Sequence, residues 1–305
     1  MLMQNIYKLF PFLIVFLLFS CSNGNGKADA YGSFEAEEII VSAEGNGKIL
    51  ALTLEEGQLL KANQYLGYID TAQLHLQKQQ LKAQIEGTYA QRTDIPKQLK
   101  ALQEKLSGMM NEKKRLESLL QSNAATNKQM DDLNTEIQVV RSQLDATRSN
   151  LNVQNKGVLS QIDAMEYQIS SLENAIQKCL IHSPIDGTVL KKYINQYEFI
   201  STGRPIFKIA DVSKMILKVY VTEDQLSSLK LGGNCTVRID KKDKELKTYK
   251  GNITWISSES EFTPKMIQTK NERVNLVYAV KISVKNDGDI KIGMPGEVVF
   301  DENIH

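Results

Sequence analysis

One stretch of this chain recurs 140 residues further on, and the two copies bracket a long segment patterned in sevens. The first copy runs Val41-Ser-Ala-Glu-Gly-Asn-Gly-Lys-Ile-Leu50 and on through Tyr65-Leu-Gly-Tyr-Ile69. The second runs Ile181-His-Ser-Pro-Ile-Asp-Gly-Thr-Val-Leu190 and on through Pro205-Ile-Phe-Lys-Ile209. In that register Val41 meets Ile181, Asn46-Gly47 meets Asp186-Gly187, Leu59-Leu60 meets Phe199-Ile200, and Ile69 meets Ile209. Each copy reads as short strands separated by turn residues. Neither is long enough to bury a core alone, so one small β domain split in sequence is expected, with halves at 39–70 and 179–211. The chain between them, 71–178, must then project from that base.

The insertion has the period of two helices wound on each other. Leu74, Leu81, Thr88, Ile95, Leu102, Met109 and Leu116 recur every seven positions. A second seam of Ile85, Leu99, Leu106 and Leu120 is interrupted by Lys78, Arg92 and Lys113. The return arm carries Met130, Ile137, Leu144, Leu151, Val158, Met165, Leu172 and Cys179. Arms of nearly equal length predict an antiparallel coiled-coil hairpin with its tip at about 121–127. Its length at 1.5 Å per residue is roughly 75 Å. Gly87 and Pro96 interrupt the first arm. Opposite them, Asn150-Leu-Asn-Val-Gln-Asn-Lys-Gly157 is rich in poor helix formers, and the companion seam of the return arm slips by one place. Both arms are therefore expected to falter at one height, as a hinge or as a tolerated defect.

The chain opens with Lys8 and an apolar run from Leu9 to Phe19, too short to span a bilayer and suited to a signal peptide over 1–20. Leu18-Phe19-Ser20-Cys21 resembles a bacterial lipobox, which implies acylation of Cys21 and a mature chain anchored to a membrane surface. Residues 21–38 read as a flexible tether and a lead-in strand. A net charge of +1, from 37 basic and 36 acidic residues, points to no nucleic-acid partner. Cys179 fits the heptad seam as a small hydrophobe and Cys235 lies inside a strand; a disulfide between them stays open in an oxidising compartment.

Residues 212–305 alternate as strands at 215–222, 235–239, 251–256, 276–284 and 296–300. Thr222 is placed to cap a short helix, Glu223 and Asp224 suit its positive end, and Gly232 follows its close. A small β-barrel with one helix is expected.

Taken together, the split halves around a coiled-coil hairpin resemble a membrane fusion protein of the HlyD type, over residues 31 to 300. The resemblance implies an elongated α+β multidomain chain: a split biotinyl/lipoyl-like β-sandwich, an α-helical hairpin and a small C-terminal β-barrel. Adaptors of this kind that dock on TolC-like channels carry an Arg, a Leu, a Ser and an Asp at fixed spacing near the tip. Arg115, Leu119, Thr126 and Asp131 hold those positions here, with Thr126 in place of the serine. The same four residues also suit an ordinary αα-turn, with Thr126 as its cap. The segment Phe262-Thr263-Pro264, with Gln268 and Arg273, resembles a stretch of adaptors paired with ABC-type exporters. It reads either as a loop facing the transporter or a neighbouring protomer, or as a connection between strands.

Against the family's glycine pattern, the first half keeps Gly57 but has Asn63, and the second keeps Gly203 but has Tyr197. Left-handed backbone suits asparagine; Tyr197 leaves its turn open. A lipoyl carrier would need its modified lysine on a tight hairpin where the long insertion stands, so no cofactor is expected. His75, His182 and His305 are scattered, and Ser183 and Asp186 suit a turn, so neither a metal site nor an enzyme is expected. The implied partners are an inner-membrane transporter, a TolC-like outer-membrane channel, and further copies of the chain in a ring, six by analogy. The implied place is the periplasm, anchored to the inner membrane. Too few residues follow Phe300 for the membrane-proximal domain of resistance-nodulation-division adaptors, which favours an ABC-type partner over that class. An envelope scaffold without transport, or an adaptor of a resistance-nodulation-division pump, is the alternative.

Overall fold

In the computed structural model, which describes residues 27–241, 245–262 and 276–301, the offset of 140 reappears as a symmetry of hydrogen bonds. The first copy forms β2 (Glu38–Ser42), β3 (Gly47–Leu52), β4 (Leu59–Leu60) and β5 (Tyr65–Ile69). The second forms β6 (Leu180–His182), β7 (Gly187–Lys192), β8 (Phe199–Ile200) and β9 (Pro205–Ala210). These make two four-stranded sheets, ordered β2-β9-β7-β4 and β6-β5-β3-β8. Exchanging each strand for its counterpart turns one order into the other, so each sheet is built half from each copy. Val41 lies opposite Phe207, Lys48 opposite Phe199, and Leu60 opposite Gly187.

The turns obey the same exchange. Gly57 N–H donates to Val189 O and Tyr197 N–H to Ile49 O, both at 2.8 Å. Asn63 N–H donates to Ser183 O and Gly203 N–H to Ala43 O, again both at 2.8 Å. Asp186 Oδ1 accepts from Ala62 N–H and Asn46 Oδ1 from Thr202 N–H, each at 2.7 Å. Between the sheets Ile49, Leu54, Leu60, Leu66 and Ile69 of one copy are buried with Val189, Ile194, Ile200, Ile206 and Ile209 of the other. Neither copy has a core without its mate.

The open turn at Tyr197 is resolved by the same symmetry. Tyr197 adopts φ 72°, matching Gly57 at 84°, while Asn63 at 60° matches Gly203 at 85°. Left-handed backbone costs a tyrosine about 1–2 kcal/mol. Its ring stays exposed, with the Lys48 ammonium 5.3 Å from the ring centre.

The insertion is a helical hairpin. Helices α1 (Ala72–Tyr89) and α2 (Ile95–Gln121) both pack against α3 (Asn127–Lys178). Lys78, which interrupts the apolar seam of α1, bridges to Glu173 of α3 at 2.6 Å, and its ammonium holds the Glu173 carboxyl below the usual range. The expectation that both arms falter is corrected in part. Only the first arm breaks, at residues 90–94, and α3 runs through 150–157 without interruption. Gly87 stays inside α1. Pro96 accounts for the break, since a continuous helix would drive its ring into the Arg92 carbonyl; instead it stands in the first turn of α2, behind an Asp94 cap that accepts from Lys97 N–H. The return arm keeps its helix because its apolar seam stays buried on both sides: Leu144 and Ile162 are 7% exposed. Packing outweighs weak propensity there.

The barrel required a larger correction. Its strands β10 (Lys214–Val221), β11 (Asn234–Asp240), β12 (Leu246–Phe262), β13 (Leu276–Lys285) and β14 (Pro295–Phe300) follow the sandwich, with helix α4 (Glu223–Leu226) after β10. The cylinder closes only through a sixth strand from before the sandwich, β1 (Ala30–Glu35), in the order β1-β10-β13-β12-β11-β14. The lead-in strand expected within 21–38 is thus part of the barrel wall, and the barrel extends beyond the 212–305 expected for it. β1 pairs Ser33 with Lys218 and Tyr31 with Glu297, and it buries Phe34 among Met215, Leu217 and Val298. The two cysteines lie in different cores, Cys179 in the sandwich and Cys235 in the barrel, and both are free. Cys179 is the C-cap of α3 and no longer part of the seam. Burial pushes the Cys235 thiol up to about 12, which keeps it protonated and inert.

Candidate docking site

The far end of the hairpin is built by two reciprocal caps. α2 ends as Asn123 turns left-handed at φ 55°, letting Ala124 N–H donate back to Leu119 O at 2.8 Å and Asn123 N–H to Leu120 O at 3.1 Å. That pair of bonds closes a helix with its last carbonyls satisfied. Ser122 Oγ donates to Leu119 O at 3.0 Å as well. α3 starts three residues later, where Thr126 and Gln129 form a capping box: Thr126 Oγ1 accepts from Gln129 N–H at 3.4 Å, and Gln129 Oε1 accepts from Thr126 N–H at 2.8 Å. The chain reverses within a few residues, so the tip is short and stiff.

Around this turn stand the four residues singled out from the sequence. Arg115 and Leu119, four apart, share a face in the last turns of α2. The Arg115 side chain is 71% exposed and pairs with Glu112 Oε1 at 2.7 Å. A surface pair of this kind holds only about 0–1 kcal/mol, so the guanidinium can exchange Glu112 for a partner's carboxylate or carbonyl at small cost. Leu119 is 38% exposed, an apolar residue open at the tip. Thr126 sits at the joint with its hydroxyl committed to the cap. Asp131 is exposed one turn into α3, and its backbone carbonyl accepts from Thr135 Oγ1 at 2.9 Å. The arrangement can offer a planar cation, an apolar side chain and a carboxylate to the end of another helical structure. Gln129 was missed by sequence reading, although Thr-x-x-Gln ahead of an apolar seam is the signature of the box it completes.

Other expected sites fall elsewhere. Cys21, Thr263, Pro264, Gln268 and Arg273 lie outside the described residues, as does His305. Phe262 is the last residue of β12. His75 is exposed on α1, and His182 meets the Tyr65 ring edge-on with centroids 5.6 Å apart. Among the described residues no cluster of three His, Cys, Asp or Glu could hold a metal ion. No helix among them is long and apolar enough to cross a membrane.

No family model matches the chain. It is 23% identical over 290 residues to a UPF0194 membrane protein from the asrC 5' region of Acidithiobacillus ferridurans, covering 87% of this chain and 84% of that protein. The UPF0194 membrane protein YbhG of Salmonella paratyphi A is 23% identical over 296 residues, covering 90% and 88% respectively. Among solved structures, MacA from Actinobacillus actinomycetemcomitans superposes with a TM-score of 0.55 at 23% identity, covering 88% of this chain and 76% of MacA. At 23% identity the likeness to MacA is one of fold, over 88% of this chain. The chain thus shares the fold of MacA, and its split sandwich, helical hairpin and small barrel are the parts that the resemblance to membrane fusion proteins of the HlyD type implies.

Proposed function

We propose that this chain is a non-catalytic periplasmic adaptor of an efflux or secretion system, joining an inner-membrane transporter to a TolC-like outer-membrane channel. The observation that carries this reading is the pairing of a rigid interleaved base with a stiff capped tip that leaves Arg115 and Leu119 exposed at its end. A tip built only to reverse the chain needs its caps; it has no need of an open leucine beside a solvated arginine. Copies of the chain assemble through their sandwiches and barrels into a ring, six by family analogy, and acylated Cys21 tethers each to the inner membrane. The preference for an ABC-type exporter rests on the sequence from Phe262 to Arg273, the segment that would face the transporter or the adjoining copy.

The test is Arg115→Asp, measured by export in cells. Charge reversal leaves both caps untouched, so expression and assembly of the base should be unchanged while export falls to background. Export at the unmodified level would remove the docking role of the tip and favour an envelope scaffold in which nothing passes.

A further inference from the structure

The break in the first arm leaves a backbone debt that one side chain of the other arm settles. Between α1 and α2, Gln91 N–H reaches Thr88 O and Arg92 N–H reaches Tyr89 O, each at 3.1 Å. Gln98 N–H bonds to Asp94 O, and Lys97 N–H is taken by the Asp94 carboxylate. Thr93 falls in the gap, since a continuous helix would have joined its N–H to Tyr89 and its carbonyl to Lys97. Both of its backbone groups turn instead to Asn155 of α3. Thr93 N–H donates to Asn155 Oδ1 at 2.9 Å, and Asn155 Nδ2 donates to Thr93 O at 2.8 Å.

Asn155 is only 8% exposed, and it occupies the companion seam of α3 one heptad before Ile162, at the point where that seam has slipped by a place. A buried polar residue on an apolar seam lowers stability unless it is fully satisfied. Here it is satisfied by a single backbone position of the opposite arm, 62 residues away. Only a primary amide offers a donor and an acceptor side by side in one plane. Aspartate has no donor, and leucine has neither group.

We infer that Asn155 is a clasp that sets the alignment of the two stretches of the hairpin. With the clasp closed, residues 90–94 are pinned to α3, against which α1 and α2 both pack. With the clasp open, the first arm has five non-helical residues and no buried polar contact among the described residues to fix their course, so α2 swings against α1 about that joint. The tip lies 29 residues beyond Asn155 along α3, roughly 44 Å at 1.5 Å each. A small rotation at the joint is therefore a large displacement at Arg115. The inference makes no assumption about what the tip meets, and it stands or falls separately from the docking role proposed above.

The experiment uses the full chain with paired spin labels at Gln80→Cys and Lys105→Cys, exposed positions that flank the break, and amide exchange read at Thr93. Asn155→Leu keeps the seam filled and removes both hydrogen bonds. Asn155→Ala removes them without overfilling, and serves if leucine perturbs the helices; unchanged helix content qualifies either variant. Losing the clasp should accelerate exchange at Thr93 by about 10-fold to 100-fold, and the label-to-label distances, narrow in the unmodified chain, should broaden or split. Equal protection of Thr93 in a folded variant would show that the clasp does not form in solution. Faster exchange with superimposable distances would show that it satisfies the backbone without controlling alignment. Either result overturns the inference.

Discussion

Replacing Gly67 with alanine is expected to keep the two halves of the sandwich from closing. Gly67 lies in β5, between β3 and β6, where a Cβ would fall 2.0 Å from the carbonyl oxygen of Ala51. No rotamer relieves a clash with backbone, so β3 or β5 has to move. Both lie inside a sheet that depends on strands from each copy. The symmetry-related position shows that the demand is local: there the chain carries Phe207, fully buried in the same core. Overfilling of this kind costs about 1–3 kcal/mol where the structure can yield, and a fixed carbonyl puts this site at or above the top of that range, ~3 kcal/mol. The loss should appear as a lowered unfolding midpoint accompanied by exposure of the Cys179 thiol, which lies in the sandwich core. Rapid thiol labelling of Gly67→Ala under native conditions is the expected result. Labelling as slow as in the unmodified chain would show that β5 has room to shift.

The second large effect is expected from Phe34→Ala. Phe34 is 1% exposed in the barrel core, although it comes from a strand that precedes the sandwich. Truncating a buried phenylalanine costs about 3–5 kcal/mol. The neighbouring Gly296 would set a Cβ 2.7 Å from the Phe34 ring, so the ring fills a space shaped for it and its loss leaves a cavity. Barrel unfolding, followed by labelling of Cys235, should therefore become markedly easier. Tyr31→Ala, on the same strand but with a side chain 65% exposed, should stay within about 0.5 kcal/mol of the parent. If both variants behaved alike, β1 would be an ornament on the barrel and no part of its wall.

These two glycine and phenylalanine positions also mark how far the sequence could be read. The split sandwich was legible because the offset of 140 pairs apolar with apolar and turn with turn, down to Asn46 and Asp186, whose side chains make the same bond in both copies. The hairpin and its reversal near Asn123 followed from the heptads, which report burial on one helix face. Where prediction went astray, a tertiary contact had intervened. Poor helix formers at 150–157 suggested a weak return arm, but a buried seam holds that helix, and Asn155, counted as a weak point, is instead a partner for Thr93. β1 reads from the sequence only as a lead-in strand, because a single short strand carries no sign of which sheet it joins; its pairing with β10 and β14 is set by chain segments more than 180 residues distant. The four tip residues came from the family resemblance, while the pairing of Arg115 with Glu112 needed side-chain positions.

The central claim, that two distant stretches interleave in one sandwich, is open to a direct chemical test. Lys48 and Phe199 are cross-strand partners on β3 and β8, both exposed. Partners in an antiparallel pair stand about 4.5–5.5 Å apart at Cα, within the span of a disulfide. In the doubly substituted chain, Lys48→Cys with Phe199→Cys, mild oxidation should link the two within one molecule, and peptide mapping should recover 48 joined to 199. Oxidation after unfolding should yield no such preference. If the folded chain instead left both new thiols free and reactive, the halves would not share a sandwich, and the base from which the hairpin projects would not exist.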